Sequence, residues 1–165
     1  MILDLKKIFL DENENLSVKT ILDLSETDDG LTSSFPAPVQ ADIDVSNHAG
    51  VVVFEARVSF KYHFNCDRCS APSDRNFAYQ FRHILVTELS EESGDDYIEA
   101  PDYKLDTDAL LRDDILLELP SKFLCKESCK GLCPKCGKNL NEGSCNCDTH
   151  EVDPRLAVLK QLLSD

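Results

Sequence analysis

GVVVFEARVSFKYHFNCDRCSAPSDRNFAYQFRHILV, residues 50–86, is the stretch that decides the fold of this 165-residue chain. Two segments in which apolar and polar residues alternate flank a short turn that carries two cysteines. Such alternation places every second side chain on one face of a strand. The residues that share the apolar faces are aromatic: Phe60, Tyr62, Phe64, Phe77, Tyr79 and Phe81. The stretch therefore predicts an antiparallel hairpin whose apolar faces line a core.

The segments around this hairpin predict an α+β fold. Strands are expected at residues 3–10 (LDLKKIFL) and 40–45 (QADIDV), and polar loops at 25–38 and 89–102. Residues 16–24 (LSVKTILDL) fit a strand or a short helix, and their β-branched residues favour the strand. A helix is expected near residues 107–119, because Asp106 or Thr107 can cap its start and Pro120 ends it. Another helix is expected at 153–163, where Pro154 suits the first turn.

We therefore expect an antiparallel β-rich body, barrel-like or a sandwich, with one long helix, in residues 1–120. Residues 121–165 are expected to form a cysteine-rich, zinc-ribbon-like segment with a C-terminal helix packed on the body.

The chain carries 17 basic and 31 acidic residues, which gives a formal net charge of -14. Phosphate binding requires a basic surface, so this composition argues against a protein that binds bare nucleic acid. The acidity is compatible with a role in solubility and with attraction to basic partners such as ribosomal proteins. Composition alone favours solubility.

The opening residues MILDLKKIFLDENENL do not resemble a secretory signal, because Asp4, Lys6 and Lys7 interrupt any apolar core. No window of the sequence approaches the roughly 18 apolar residues that a membrane-spanning helix needs. We therefore expect a cytoplasmic protein. Thiols stay reduced in the cytosol, where clustered cysteines are more often metal ligands than disulfides.

The eight cysteines fall into close pairs, and each pair can supply two corners of the tetrahedron that Zn²⁺ prefers. The pairs are Cys66 with Cys69, Cys125 with Cys129, Cys133 with Cys136, and Cys145 with Cys147. Gly137 follows Cys136 directly and can adopt positive φ, which lets backbone N–H groups point at the thiolates. The pattern predicts one or two structural zinc sites.

Several pairings remain open. The most local one joins the pair 133/136 to the pair 145/147 across eight intervening residues. The pair 66/69 is then left to meet the pair 125/129, which would fasten the hairpin to the end of the long helix. A single occupied site with the other cysteines free, disulfide bonding, and iron–sulfur ligation are the alternatives.

The sequence shows no pattern typical of an active site. A redox C-x-x-C is expected at a helix N-terminus, but Cys66 and Cys69 lie between two predicted strands. A catalytic zinc keeps an open coordination position, whereas four thiolates close the shell. His150 is an alternative ligand near Cys147. We therefore expect a protein that is not an enzyme.

Four motifs together resemble one known family. CDRC (66–69), LLRDDILLELP (110–120), LCKESCKGLCPKCGKNLNEGSCNC (124–147) and DPRLAVLKQLL (153–163) resemble the YceD-like family. Members of that family are described as large ribosomal RNA subunit accumulation proteins. The resemblance implies a role in making or keeping large-subunit ribosomal RNA, and it supplies no catalytic residues.

Charge and resemblance together predict contact with ribosomal proteins or rRNA-processing factors of the large subunit, and no membrane partner. The lysines beside the cysteines are candidates for local contact with rRNA: Lys126, Lys130, Lys135 and Lys138. They suit an equally simple role, that of balancing thiolate charge. The alternative functions are a zinc-bearing adaptor for another basic protein and a thiol redox or metal sensor.

Overall fold

A computed structural model of the chain describes residues 1–25, 33–89 and 97–147. Its elements, in chain order, are β1 (Ile2–Asp4), α1 (Lys6–Leu10), β2 (Asn15–Leu22), β3 (Ser33–Ser34), β4 (Val39–His48), β5 (Val51–Asn65), β6 (Pro72–Val86), β7 (Tyr97–Glu99), β8 (Lys104–Asp106) and α2 (Thr107–Glu118). A short 3-10 turn, Pro101–Tyr103, precedes β8. Within these ranges no helix combines the length and the apolar character that crossing a bilayer requires.

Six strands form one curled sheet in the order β2–β4–β5–β6–β7, with β3 paired to β5. Neighbouring strands are antiparallel except β6 and β7, which run parallel. β1 and β8 form a separate two-stranded antiparallel sheet. The expected α+β fold with an antiparallel-rich sheet is therefore confirmed, and the described strands follow an open order from β2 to β7.

The hairpin predicted from residues 50–86 is the β5–β6 pair. Its register runs without a break from Val52 opposite Leu85 to Asn65 opposite Pro72. The first part of β5 pairs with β4 as well, whereas the last part pairs with the short strand β3. Because each strand has 15 residues, at about 3.3 Å per residue the hairpin extends past the end of β4. Its tip carries the first cysteine pair.

The core lies against one face of the sheet. Alternate side chains of β5 from Val52 to Phe64 are buried, as the period of two predicts. Leu111 and Ile115 of α2 are fully buried in the same cluster. Phe123, beyond α2, packs against Phe64 with ring centroids 5.0 Å apart. The chain that leads into the later cysteines is therefore anchored on the outer part of the hairpin.

The strand expected at residues 3–10 is wrong. The strand β1 ends at Asp4, and Lys6–Leu10 form the helix α1. Leu5 and Ile8 are both buried although three positions separate them. A spacing of three places side chains on one face of a helix, not of a strand. The apolar residues of this segment therefore follow the helical repeat.

The acidic loop expected at 89–102 contains a strand that the sequence did not indicate. β7 pairs with β6 through Tyr97, Ile98 and Glu99. Ile98 packs against the core and Ala100 is fully buried. The loop expected at 25–38 likewise contains β3.

The helix expected near 107–119 is α2, whose N-cap Asp106 accepts the N–H groups of Asp108 and Ala109. Its 12 residues are an ordinary length and α1 is a second helix, so one long helix is not confirmed.

A zinc ribbon is not confirmed either, because the described residues beyond α2 contain no strand and only an isolated bridge between Leu132 and Asn139. The helix expected at 153–163 lies outside the described residues. The division of the chain at residue 120 stays a prediction.

Candidate metal centres

The tip of the β5–β6 hairpin is a tight turn that presents two buried sulfurs. The N–H of Cys66 donates to the carbonyl of Ala71 at 2.9 Å, and the N–H of Ser70 donates to the carbonyl of Cys66 at 2.8 Å. Cys66 and Cys69 are 1% and 6% exposed. The turn therefore holds both cysteine side chains on the buried face of the hairpin tip.

Polar contacts fasten the chain beyond α2 to this turn. The N–H of Asp67 donates to the carbonyl of Phe123 at 2.9 Å, and the carboxylate of Asp67 accepts the N–H of Phe123 at 2.6 Å. The guanidinium of Arg68 donates to the carbonyl of Cys129 at 2.9 Å. These contacts bring Cys125 and Cys129 to the hairpin tip.

The eight cysteines assemble into two groups of four. They are the tip tetrad of Cys66, Cys69, Cys125 and Cys129 and the loop tetrad of Cys133, Cys136, Cys145 and Cys147. Within each tetrad all four sulfur atoms lie within 4.8 Å of one another. The four cysteine pairs are therefore combined as their spacing along the chain predicts, 133/136 with 145/147 and 66/69 with 125/129.

The sulfur separations fit one metal ion in a tetrahedral shell. In the tip tetrad, the sulfurs of Cys66 and Cys129 are 3.8 Å apart and those of Cys69 and Cys125 are 3.7 Å apart. Metal–sulfur bonds of about 2.3 Å in a tetrahedron place the sulfurs about 3.8 Å apart. A multi-iron cluster puts several irons between its ligands and so spreads the sulfurs farther. All eight cysteines are free rather than disulfide-bonded. A mononuclear tetrahedral site with four sulfur ligands suits zinc or iron.

A second tight turn builds the first half of the loop tetrad. The N–H of Cys133 donates to the carbonyl of Lys138, and the N–H of Gly137 donates to the carbonyl of Cys133, both at 2.9 Å. Gly137 has φ +71, the left-handed conformation that its place after the cysteine pair predicts. The N–H groups of Cys136 and Lys135 donate to the sulfur of Cys133. Such donors stabilise the thiolate, which is the form that binds a metal.

The pKa values of two thiols in the tip tetrad are shifted in opposite directions. Burial disfavours the thiolate of Cys66, but the N–H groups of Cys125, Arg68 and Cys69 outweigh it and lower the pKa of Cys66 to about 6. Burial and the neighbouring sulfurs raise the pKa of Cys125 to about 12. Four negative charges this close repel one another unless a cation lies between them.

In the loop tetrad, too, the pKa of one thiol is lowered and that of another is raised. The N–H groups of Cys136 and Lys135 lower the pKa of Cys133 to about 6. Hydrogen bonding with Cys136, together with burial, raises the pKa of Cys147 to about 12. A divalent cation at the centre of either tetrad would favour the thiolate form of all four residues.

The two tetrads differ in exposure. Cys129 in the tip tetrad is 3% exposed, and with Cys66 and Cys69 it forms a small buried cluster separate from the main core. In the loop tetrad Cys133 is buried, whereas Cys136 is exposed and Cys145 is half-buried. The tip tetrad therefore belongs to the protein interior and the loop tetrad to its surface.

The lysines predicted to contact a partner are all exposed, namely Lys126, Lys130, Lys135 and Lys138. The ammonium of Lys138 also donates to the carbonyl of Ser144 at 2.8 Å, so this lysine braces the loop between Cys136 and Cys145. Contact of the four with RNA stays a prediction. His150, the alternative ligand, lies outside the described residues.

Asn141 is a site residue that the sequence did not indicate. Its side-chain Nδ2 donates to the sulfur of Cys129 at 3.3 Å, and its Oδ1 accepts the N–H of Lys130 at 2.9 Å. The first of these contacts lowers the pKa of Cys129. Asparagine is common in turns for purely local reasons, so its type alone carried no signal of this role.

The fold and the site together define an α+β protein with two candidate metal centres. Its curled sheet is antiparallel-rich, and the β5–β6 hairpin of that sheet carries two cysteines of the tip tetrad. A family model described as "Large ribosomal RNA subunit accumulation protein YceD" matches residues 54–163, which include every cysteine of both tetrads. The chain belongs to the YceD family.

Three relatives are similar to this chain. "Large ribosomal RNA subunit accumulation protein YCED homolog 1, chloroplastic" of Arabidopsis thaliana is 26% identical over 76% of this chain and 48% of its own length. The Zea mays protein of the same description is 27% identical over 70% of this chain and 50% of its own length. "Uncharacterized protein YlbN" of Bacillus subtilis (strain 168) is 25% identical over 86% of this chain and 82% of its own length.

The chain spans about half the length of the two plant relatives, with 48% and 50% of each covered. No solved structure gives a significant match to it.

Proposed function

We propose that this protein is a non-enzymatic factor that supports the accumulation or processing of large-subunit (23S) ribosomal RNA in the cytoplasm. The observation that carries the proposal is the family match over residues 54–163. The family description and those of both plant relatives refer to accumulation of the large ribosomal RNA subunit. The matched range includes most of the β5–β6 hairpin and all eight cysteines of the two tetrads.

Zinc is the metal that we propose for both tetrads. Zn²⁺ supplies a tetrahedral centre without redox chemistry, and four thiolates leave no coordination position for water or substrate. The residues of the tip tetrad would hold the hairpin to the chain beyond α2. Those of the loop tetrad would close the loop 137–144. The proposed zinc ions would therefore have a structural role: they would hold the surface that binds the partner in one conformation.

The acidic charge supports a basic protein as the direct partner. Residues 51–86 carry five basic and three acidic residues, and residues 121–147 carry five basic and two acidic ones. The rest of the chain therefore carries seven basic and 26 acidic residues, a net charge of -19. Charge complementarity favours association of this part with a basic ribosomal protein or processing factor.

We propose that any direct contact with rRNA phosphates is made by four lysines, Lys126, Lys130, Lys135 and Lys138. The eight thiolates and two divalent ions would together add a charge of -4 to the tetrads, which nearly cancels the net charge of +5 that residues 51–86 and 121–147 carry together. Contact through these lysines is therefore expected to assist the protein partner rather than to supply most of the affinity.

Deletion of the gene tests the proposed function. Precursor and mature large-subunit rRNA are measured relative to small-subunit rRNA, in rich medium and in the cold, by hybridisation. We expect mature large-subunit rRNA to fall selectively and its precursors to rise, and we expect wild-type protein to restore both. Unchanged ratios in both conditions would contradict the proposal.

Purification of partners separates this function from that of an adaptor for an unrelated basic protein. The protein is captured from lysate after nuclease treatment, so that RNA no longer links the proteins. We expect large-subunit ribosomal proteins or rRNA-processing factors among the retained partners. Retention of basic proteins from other pathways alone would support the adaptor instead.

A further inference from the structure

One amide side chain links the two tetrads. Asn141 lies in the loop between Cys136 and Cys145 of the loop tetrad, yet its Nδ2 donates to the sulfur of Cys129 in the tip tetrad at 3.3 Å. Its Oδ1 accepts the backbone N–H of Lys130 at 2.9 Å. A backbone N–H can only donate, so this contact fixes which end of the amide faces the sulfur.

The fold of the loop sets the position of Asn141. Leu132 and Asn139 form an antiparallel bridge, and the N–H of Leu140 donates to the carbonyl of Gly131 at 2.9 Å. The side-chain oxygen of Asn139 accepts both the backbone N–H and the Nδ2–H of Asn141, at 3.0 and 2.9 Å. Asn141 therefore reaches the tip tetrad only when the loop has its folded shape.

We propose that Asn141 couples the two metal centres, so that a metal bound in the loop tetrad strengthens metal binding in the tip tetrad. This inference rests on the metal binding proposed above. A metal held by Cys136 and Cys145 ties together both ends of the loop that carries Asn141. The loop then loses less conformational freedom when the amide docks on Cys129.

The hydrogen bond from Asn141 favours the metal-bound state of the tip tetrad. A donor to a ligand sulfur stabilises its thiolate form and orients it, and loss of such a contact typically weakens metal binding by 10- to 100-fold. Binding couplings are reciprocal. A metal in the tip tetrad therefore strengthens the loop tetrad by the same factor, and the two sites fill cooperatively.

A double-mutant cycle on the full chain tests the coupling. The protein is loaded with ¹¹³Cd²⁺, which gives one NMR signal for each thiolate site, and Cys66→Ser and Cys136→Ser assign the two signals. Titration with EDTA then measures the cadmium affinity of the tip tetrad in four proteins: wild type, the Asn141→Ala variant, the Cys136→Ser variant, and the double variant that carries both changes. We expect each single change to weaken the tip tetrad by about tenfold. The combination should weaken it no further, because Asn141 acts through the loop that Cys136→Ser already releases.

Two results would overturn the inference. One is an equal weakening by Asn141→Ala with and without Cys136→Ser, because Asn141 would then act without the loop metal. The other is no weakening in either protein. Fewer than two cadmium signals in the wild-type chain would contradict the metal binding itself, so the two failures are distinguishable.

Two further variants keep the test specific. Asn146→Ala removes an exposed asparagine of the same segment and should leave the tip tetrad unchanged. Asn141→Asp keeps the acceptor for the N–H of Lys130 but replaces the donor that faces Cys129 with a carboxylate oxygen. It should therefore weaken the tip tetrad more than Asn141→Ala does. An Asp variant that binds as tightly as wild type would refute the hydrogen-bond argument.

Discussion

Asp106 starts α2 by accepting the backbone N–H groups of Asp108 and Ala109 at 3.1 and 3.4 Å. Without this acceptor, the first turn of the helix has N–H groups that no carbonyl satisfies. We expect Asp106→Ala to lower the free energy of unfolding by about 1 kcal/mol. Urea denaturation at pH 7 measures the loss. Asp106→Asn is the matched control, because asparagine caps a helix about as well, and a loss of equal size in both variants would contradict the capping argument.

The same carboxylate makes stability depend on pH. The N–H groups of Ala109 and Asp108, helped by the amino group of Met1, lower the pKa of Asp106 although burial opposes the shift. A depressed pKa contributes stability that is present above the unfolded value of about 3.9 and is lost as pH falls through the folded value. Asparagine replaces the capping oxygen but not its charge, so we expect wild type to keep a small stability advantage over Asp106→Asn that is constant from about pH 5 to about pH 7 and shrinks below about pH 4. An advantage that does not change with pH would contradict this prediction.

Gly131 lies where the cysteine segment crosses the hairpin tip. It has φ +76, and a Cβ at this position would lie 3.0 Å from the carbonyl oxygen of Arg68. Gly50 has φ +85, but nothing lies within 4 Å of a Cβ there. Both substitutions by alanine carry a left-handed cost of about 1–2 kcal/mol, and only Gly131→Ala also pushes the segment off the tip. We therefore expect Gly131→Ala to destabilise more in urea denaturation, and equal losses would contradict the close packing.

At the scale of elements, Phe123 holds the chain beyond α2 on the sheet. Its ring lies 5.2 Å from that of Tyr62 and 5.0 Å from that of Phe64, between centroids. Because Phe123 is half-buried, we expect Phe123→Ala to cost about 2 kcal/mol, less than a fully buried phenylalanine. Leu117→Ala is the control, since Leu117 is 85% exposed and its loss should change stability by less than about 0.5 kcal/mol. Similar costs for the two changes in urea denaturation would contradict the anchoring role of Phe123.

The long strands were predictable because their signal is local. A period of two in residues 50–86 indicated β5, β6 and their antiparallel pairing without any knowledge of the remaining chain. The helix α1 was not predictable in this way, because Leu5 and Ile8 owe their burial to distant parts of the core. β7 was missed for the same reason, since three residues carry no measurable period and the pairing with β6 is parallel and non-local.

The candidate site was predictable to the level of the two tetrads and not beyond. Close spacing within each pair is a local feature, and few combinations of four pairs exist, so the grouping into tetrads could be anticipated. The contact of Asn141 with Cys129 depends on a loop doubling back to residues 131–132, which no periodicity encodes.

Across the whole molecule, we expect the two tetrads to separate a part that folds on its own core from a part whose folding depends on bound metal. Residues 121–147 contribute few side chains to the main core beyond Phe123. Structural zinc contributes on the order of 10 kcal/mol of apparent binding energy that is coupled to local folding. We expect a chelator to remove hydrogen-exchange protection from residues 125–147 while the amides of β4 and β5 remain protected. Protection of the whole chain without metal, or its loss throughout the sheet, would contradict this division.

We propose that each tetrad holds one zinc ion, and the metal content of the purified chain tests this proposal directly. The protein is purified without added zinc or chelator, and elemental analysis gives zinc and iron per chain. We expect two zinc ions per chain, one for each tetrad, and a fall to one in Cys133→Ser. Zinc at one ion per chain or less in the wild type, or iron in its place, would contradict it.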